Sequence, residues 1–560
     1  MDGRAAAGST RARIALGASI VSFVFVALVA SVPGSPFTPV LPSAPSGPFT
    51  WLAGLIRLDE VHGDALAAVG VVAAVGAVIA FLLVVLAARR GWLSPRIAIV
   101  LAITYHVALL FLPLMFSRDV YSYAYYGKIA STYHANPYIA TPADFPNDVL
   151  AGFVGPKWID TPAVYGPLWT QASAVVTRVF DDVGSLIATF RLIAITASFG
   201  TVLVVARLVR RVRPEYEAFA IVLVGLNPTV LFQSAASGHN DLLLALAVAS
   251  AIALVFSRRE RWATFALALG ALVKVTAALP LLLLWIAVIA RRPRGERVAA
   301  LVPHVAIAGV LALVAAAPFA NADDPSLGAV ELASHEGWLA PSRLFRRLFD
   351  AISGNELGWI PRLVFATIFV AAIVLIARAV WRRAPRISPP LVGASWGWGL
   401  LCLVLLGPVL LPWYVAWVLP LGWLLPSVPQ AVLVATAQAL TLSQWTAEPG
   451  SFPEAYDANL FFGHYVLTPL VTLLLVWLLV DLWRRSRADA PLEDEPGEVS
   501  GDRRERGHRE RARRVAQRDA ERIQGDGDDD QQRRADRGSG RHGGDRVVQP
   551  DPRPAVADDP

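Results

Sequence analysis

The sequence feature that most constrains this chain is a succession of long apolar runs, between residues 14 and 482, separated by short arginine clusters. A run of about 18 or more apolar residues can cross a bilayer as a helix, and helices satisfy their own backbone hydrogen bonds in hydrocarbon. Hydrophobic residues make up 55% of the 560 and charged residues only 17%, against roughly 25% charged in soluble domains. Mean hydropathy is +0.50. A soluble enzyme, a secreted disulfide scaffold and a nucleic-acid-binding domain are excluded, leaving an all-α polytopic membrane protein. The net charge of +6 resides in the arginine clusters, as the positive-inside rule requires, and implies no nucleic acid. Cys402 is the single cysteine and permits neither an internal disulfide nor a cysteine metal cluster. Lysine occurs only as Lys128, Lys157 and Lys274, which singles these three out.

The arginine clusters set the expected topology. Residues 1–13 carry Arg4, Arg11 and Arg13 and form a cytoplasmic N-terminus. The apolar run 14–32 exceeds the about 7–15 residues of a signal-peptide core and reads as a retained anchor. After an outside loop rich in proline and serine, 65–88 returns inward, so that 14–96 forms a helix pair. A catalytic membrane module at 97–320 opens with a span at 97–116, which delivers an extracytoplasmic loop of mixed polarity over 117–167. Further spans are expected at 186–208, 218–236, 242–256, 301–317, 363–380, 391–411, 413–425, 431–442 and 466–483. The segment 263–290 has arginines at both ends and Pro280 inside, and reads as a hairpin of two short helices. Residues 168–180 read as a partial or re-entrant helix. About fourteen crossings result, a bundle of 12–14 transmembrane helices whose C-terminal transmembrane region is 321–487. The tail, 488–560, is charged, rich in glycine and proline and nearly free of aromatics; it is expected to be disordered and cytoplasmic, with 503–523 able to form a charged helix on a partner or on anionic lipid.

Polar residues crowd at the outer ends of these spans. Residues 117–128 read Ser-Arg-Asp-Val-Tyr-Ser-Tyr-Ala-Tyr-Tyr-Gly-Lys. Asp119 leaves the bilayer at a poorly solvated interface, where a carboxylate can hold a shifted pKa and act as a base, and Arg118 can keep it ionised or bind an anion. Tyr121, Tyr123, Tyr125 and Tyr126 offer flat amphipathic faces to a sugar or headgroup; an interfacial aromatic belt with a neutralised ion pair is the plainer reading. The loop runs on through His134, Asn136 and Tyr138 and ends in Lys157-Trp158-Ile159-Asp160-Thr161-Pro162-Ala163-Val164-Tyr165-Gly166, a density of aromatic and ionisable residues typical of a working loop on a rigid scaffold.

Further polar groups face the same side. Ser237-Gly238-His239-Asn240-Asp241 forms a tight outer turn, where Asn240 or Asp241 can cap the next helix; His239 and Asp241 alone are too few for a metal site. Lys274 sits mid-hairpin, where a lysine in lipid faces a polar cavity or an anion unless it snorkels. Arg191 lies near the outer end of its span, within reach of a lipid phosphate or a loop carboxylate. Trp413, Tyr414 and Trp417 mark another outer boundary, most simply as belt residues.

The Asp-Val-Tyr-Ser-Tyr segment, the Asn-Pro-Tyr that follows and the Asp-Thr-Pro-Ala-Val-Tyr-Gly-Pro-Leu stretch together resemble the GT-C membrane glycosyltransferases. They look most like the actinobacterial polyprenol-phosphate-mannose-dependent mannosyltransferases that build lipomannan and related glycolipids. The Gly-His-Asn-Asp turn, the Lys274 hairpin and the Pro-Trp-Tyr near 412 are similar to features of that group, and the likeness covers roughly 90–480. It implies a polyprenyl-phosphate sugar donor, a glycolipid or glycan acceptor, an active site on the outer face of the plasma membrane and inversion at the anomeric carbon. Asp119 matches the acid that activates the acceptor hydroxyl. Lys274, Arg118, Arg191, Lys157 and His239 stand unranked for the charge facing the departing phosphate. Two departures, the helix pair before the loop and the long charged tail, bear on subfamily and acceptor. No obligatory metal or other cofactor is expected, with a divalent cation left open. The alternatives are a transporter or flippase of lipid-linked or small polar substrates, with broken helices and midplane charges, and a noncatalytic scaffold.

Overall fold

A computed structural model describes residues 3–320, 337, 339–353, 357 and 359–493. The chain divides into two units, Met1–Asp494 and Glu495–Pro560; the second, with most of the expected disordered tail and its 503–523 segment, lies outside the described residues. Within the described residues the secondary structure is helical, without strands. Among the described residues eight helical stretches are long and apolar enough to cross a membrane, and three shorter apolar helices accompany them, so the chain is an all-α, multi-pass membrane protein.

Helices α1 (Gly3–Ser31) and α2 (Gly63–Arg89) pack along each other as the expected N-terminal pair. α3 (Pro95–Leu109) starts on the Ser94 hydroxyl, which accepts from Ile97 N at 3.3 Å. It is shorter than the expected span 97–116, because Pro113 cannot extend a helix and disfavours helical backbone before it. The freed residues 110–118 lead into α4 (Asp119–Ser131), which lies against α5 (Pro167–Val179). α5 is the expected partial helix, thirteen amphipathic residues beside the bundle. The loop residues have an aromatic core of their own, in which Tyr121, Tyr123, Tyr125, Tyr126 and Tyr138 are buried with Trp169 and Phe190.

α6 (Val183–Val212) has 30 residues, about 45 Å of helix, and runs well past the hydrocarbon. α7 (Glu217–Gly225) continues beyond Pro228 as a π-helix, Thr229–Ala235, wholly buried at the centre of the bundle. α8 (Asp241–Phe256) descends, α9 (Glu260–Val273) climbs back and α10 (Ala278–Ala290) descends again. An Arg291–Glu260 ion pair joins the far ends of the last two. The expected hairpin is therefore present, but its break falls at Lys274–Ala277, with Pro280 inside the first turn of α10, where a missing N–H costs nothing. Lys274 is thereby the apex of the hairpin.

α11 (Arg297–Ala316), α12 (Pro341–Ser353), α13 (Ile360–Arg382) and α14 (Pro389–Leu406) follow. The span expected at 413–425 is not an α-helix. It consists of two six-residue 3-10 stretches, Pro412–Trp417 and Leu419–Leu424, whose every residue is buried. Pro412 and Pro420 each open a stretch, and irregular backbone at membrane depth is tolerated only where protein surrounds it. α15 (Ser427–Thr441) returns to the π-helix, where the Thr229 and Thr441 hydroxyls meet at 2.6 Å. α16 (Pro453–Phe462) passes through a π-turn into α17 (Thr468–Ala488). The first tail residues fold back on the bundle: the Trp398 indole donates to Leu492 O at 3.0 Å.

Candidate functional site

The N-terminus of α4, the turn between the π-helix and α8, the apex of the α9–α10 hairpin and the first 3-10 stretch meet at one end of the bundle. Two glycines permit this approach. Gly238 has φ +72°, and a Cβ there would lie 2.6 Å from Val120 Cγ2, next to Asp119; the left-handed backbone and the missing side chain are both needed. Gly166 donates to Val273 O at 3.0 Å, and a Cβ on it would overlap the Leu272 carbonyl. The end of the tyrosine loop is thus fastened beside Lys274.

Asp119 is the first residue of α4, and its side chain is 16% exposed. Its amide donates to Ser117 Oγ at 3.1 Å. Burial pushes its carboxyl up to about 6, while the Lys274 charge pulls it down and Asp241 pushes it up again. His239 Nδ1 stands 3.5 Å from Asp119 Oδ2 on a fully buried ring, stacked on Trp413 with centroids 3.7 Å apart. Burial first, and then the Lys274 charge, hold this imidazole well below its usual range, so it is neutral near pH 7.

Asp241 is buried, and its Oδ1 accepts from Lys274 Nζ and from the Trp417 indole, each at 2.7 Å. Lys274 Nζ also lies 4.6 Å from the Tyr414 ring centroid, a cation–π contact. The aromatics near 412 are buried parts of this cluster, not an interfacial belt, because 3-10 backbone carries them inward. Tyr123 closes another side, its hydroxyl 3.5 Å from Asn240 Oδ1 and its ring edge-on to Tyr165. Several buried atoms here have no hydrogen-bond partner: both ring nitrogens of His239, Asn240 Nδ2 and Asp241 Oδ2. Native interiors satisfy nearly all such groups, and exceptions cluster where ligands or waters bind. Among the described residues no group of three or more His, Cys, Asp or Glu side chains could hold a metal ion.

The other expected site residues lie elsewhere or have structural partners. Arg118 grips Glu448 through two nitrogens, at 2.7 and 2.5 Å, and Glu448 also accepts from Val40 N. Arg191 is buried and donates to the carbonyls of Ala236 at 3.0 Å and Leu109 at 2.8 Å, rather than to a phosphate or carboxylate; Leu109 O also accepts from Leu112 N at 3.2 Å. The Tyr121 hydroxyl donates to Val40 O and that of Tyr126 to Thr161 O, pinning loops. Lys128 pairs with Asp148 at 2.5 Å. Lys157 lines a separate basic cavity. Sequence reasoning did not foresee Glu448, whose Thr-Ala-Glu-Pro context carries no signal. Trp417 was legible only as part of an aromatic segment, although it stands one turn beyond Trp413.

Residues 21–291 match the family described as alpha-(1->6)-mannopyranosyltransferase, N-terminal domain. The chain is 27% identical over 354 residues to alpha-(1->6)-mannopyranosyltransferase A of Mycobacterium tuberculosis (strain ATCC 25618 / H37Rv), covering 59% of this chain and 65% of that protein. The chain thus spans about two thirds, 65%, of the length of that curated relative. No solved structure matches it. The resemblance to membrane mannosyltransferases is borne out, and the family match over 21–291 contains Asp119, His239, Asp241 and Lys274, whereas Tyr414, Trp417 and Glu448 lie beyond that match.

Proposed function

From a chain whose first half is similar to the alpha-(1->6)-mannopyranosyltransferase domain, we propose an integral membrane glycosyltransferase that moves a hexose, mannose by analogy, from a polyprenyl-phosphate donor to a cell-envelope glycolipid or polysaccharide, with inversion at the anomeric carbon. The observation that carries this reading is the juxtaposition of Asp119, pushed up to about 6, with the Lys274–Asp241 pair. A base titrating near neutrality suits proton removal from a hydroxyl, and a fixed cation suits a departing phosphate.

The acceptor hydroxyl oxygen attacks the anomeric carbon from the face opposite the donor phosphate. Its proton passes to the Asp119 carboxylate as the new C–O bond forms. The bond from the anomeric carbon to the phosphate oxygen breaks, and polyprenyl phosphate leaves with the electron pair, its growing charge facing Lys274. Of the five groups proposed to face the phosphate, Lys274 is favoured. Arg118 is tied to Glu448, Arg191 to two carbonyls, Lys157 lies on another cavity and His239 is neutral. Neutral His239, packed on Trp413, holds its Nδ1 3.5 Å from the carboxylate. The site opens on the outer face of the plasma membrane, and the tail is cytoplasmic. The chemistry needs no obligatory metal, so full activity should survive exhaustive EDTA treatment; a loss restored only by a divalent cation defeats that part. A transporter is less favoured, because the polar groups gather at one end of the bundle instead of its middle.

Sugar transfer in membranes carrying wild type or Asp119→Asn at matched levels tests the proposal, with radiolabelled polyprenyl-phosphate mannose and the host's extracted glycolipids as acceptors. Transfer by wild type alone supports it. Equal transfer by both removes Asp119 as the base, and no transfer by either folded protein removes the donor and acceptor assignment.

A further inference from the structure

Arg118 and Asp119 are neighbours at the start of α4, and adjacency in sequence leaves the guanidinium free to pair with the carboxylate beside it. An opposite charge within about 4–6 Å lowers a carboxyl pKa by about 1–3 units, which would make Asp119 a weak base at neutral pH. In the structure the two side chains take different partners. Phe116 has φ +57°, a left-handed backbone that a bulky residue keeps only where its surroundings over-determine it. Its amide donates to Phe37 O at 2.7 Å, and its carbonyl accepts from Gln444 Nε2 at 2.8 Å. Beyond this turn Asp119 faces His239, and Arg118 faces Glu448.

Arg118 Nε and Nη2 donate to the two oxygens of Glu448 at 2.7 and 2.5 Å. This is a forked, charge-assisted pair, with each side chain only 20% exposed. Glu448 is itself held in place. Its Oε1 also accepts from Val40 N at 3.1 Å, the neighbouring Ala447 N donates to Pro36 O at 2.7 Å, and the Tyr121 hydroxyl donates to Val40 O at 2.6 Å. Three segments, 36–40, 116–121 and 444–448, are thus laced together at the start of α4, and the last lies beyond the family match over 21–291. The titratable groups that face Asp119 are Lys274, Asp241, His239, Tyr165, Tyr414 and, on its own helix, Tyr123. Burial first, and then the charges of Lys274 and Asp241, set its carboxyl; the charge of Arg118 is balanced at Glu448.

We propose that Glu448 is a positioning residue for Asp119: by holding the Arg118 guanidinium it keeps that charge off the neighbouring carboxylate, which stays free to take the proton of an acceptor hydroxyl. This role rests on Asp119 acting as the base of the proposed sugar transfer, whereas the effect on the carboxyl can be read without turnover.

The full chain, purified in detergent, should be treated with dicyclohexylcarbodiimide as a function of pH, and modified Asp119 read by peptide mass spectrometry, because the reagent attacks protonated carboxyls in apolar surroundings. The wild-type midpoint is expected at about 6. Glu448→Gln keeps an acceptor for Val40 N and removes only the charge. It should lower the midpoint by at least about one pH unit and carry the acid limb of the kcat/KM profile for sugar transfer down with it. Arg118→Gln/Glu448→Gln, which removes both charges, should return midpoint and profile to within about half a unit of wild type. A merely structural contact moves neither. The proposal is overturned if the Glu448→Gln midpoint stays at the wild-type value, or if the monodisperse double variant titrates about a unit or more away from wild type. The double variant leaves no unpaired charge and carries the test alone where Glu448→Gln does not fold. If wild type transfers no sugar while the midpoints move as expected, the transfer reading falls and the hold of Glu448 on the Arg118 charge is supported.

Discussion

Asp119 and Lys274 are the residues on which the proposed chemistry turns, and each yields a distinct expectation. With the Asp119 carboxyl raised to about 6 by burial, the basic form prevails above that pH and is lost below it. The kcat/KM of sugar transfer should therefore level off above about pH 7 and fall about tenfold per pH unit below about 6. A profile flat down to pH 5 removes Asp119 as the group that titrates. Asp119→Asn should lower kcat by at least about 100-fold while leaving the melting temperature in detergent near that of wild type. Lys274→Gln acts differently, since Asp241 then keeps only the Trp417 indole as partner and becomes a buried, uncompensated carboxylate. Breaking such a pair costs about 3–5 kcal/mol, so this variant should lose both activity and thermal stability. The double variant Lys274→Gln/Asp241→Asn should recover stability but not transfer. Recovery of both would make the pair purely structural.

At the level of elements, the site depends on close approach between segments that are distant in sequence. The left-handed turn at Gly238, against Val120, lets the His239 turn reach the start of α4. Gly238→Ala should destabilise by about 1–3 kcal/mol and depress transfer together with stability, both read on purified protein. Arg191 ties the C-terminal end of α3 to that of the π-helix through the carbonyls of Leu109 and Ala236. Arg191→Leu should lower the melting temperature by leaving the buried Ala236 carbonyl unsatisfied, at about 1–3 kcal/mol; Leu109 O keeps its bond from Leu112 N. A normal melting curve with absent transfer would instead bring Arg191 into substrate binding. The elements themselves were unevenly legible. Long apolar runs such as 65–88 and 363–380 predict helices α2 and α13 to within a few residues, because hydropathy over some twenty residues leaves few alternatives. The 413–425 run has the same composition, but Pro412 and Pro420 turn it into buried 3-10 backbone, which hydropathy does not distinguish from a span.

For the whole molecule, the proposed orientation can be read by labelling. Cys402 is the lone cysteine and fully buried, so single introduced cysteines report without background. Gly450, close in sequence to Glu448 at the site end, and Gly295, between α10 and α11 at the opposite end, are both exposed. Gly450→Cys should react with a membrane-impermeant maleimide in intact cells, and Gly295→Cys only after lysis. The reverse pattern places the site inside and overturns the outer-face assignment.

What the sequence determined alone was the class of object: a multi-pass helical membrane protein, with polar and aromatic residues concentrated in a loop, a turn and a hairpin. Bilayer thickness and backbone hydrogen bonding constrain every span locally, so a local reading suffices. Asp119, His239 and Lys274 could be picked out because ionisable residues are costly beside lipid. Only the tertiary structure decided their company. Asp119 faces His239, 120 positions away, and Lys274 pairs with Asp241 and packs on Tyr414, while Arg118, Arg191 and Lys128 bind protein partners. Such pairings depend on which helix ends meet, and that is set by side-chain packing between segments hundreds of residues apart, which local periodicity does not record.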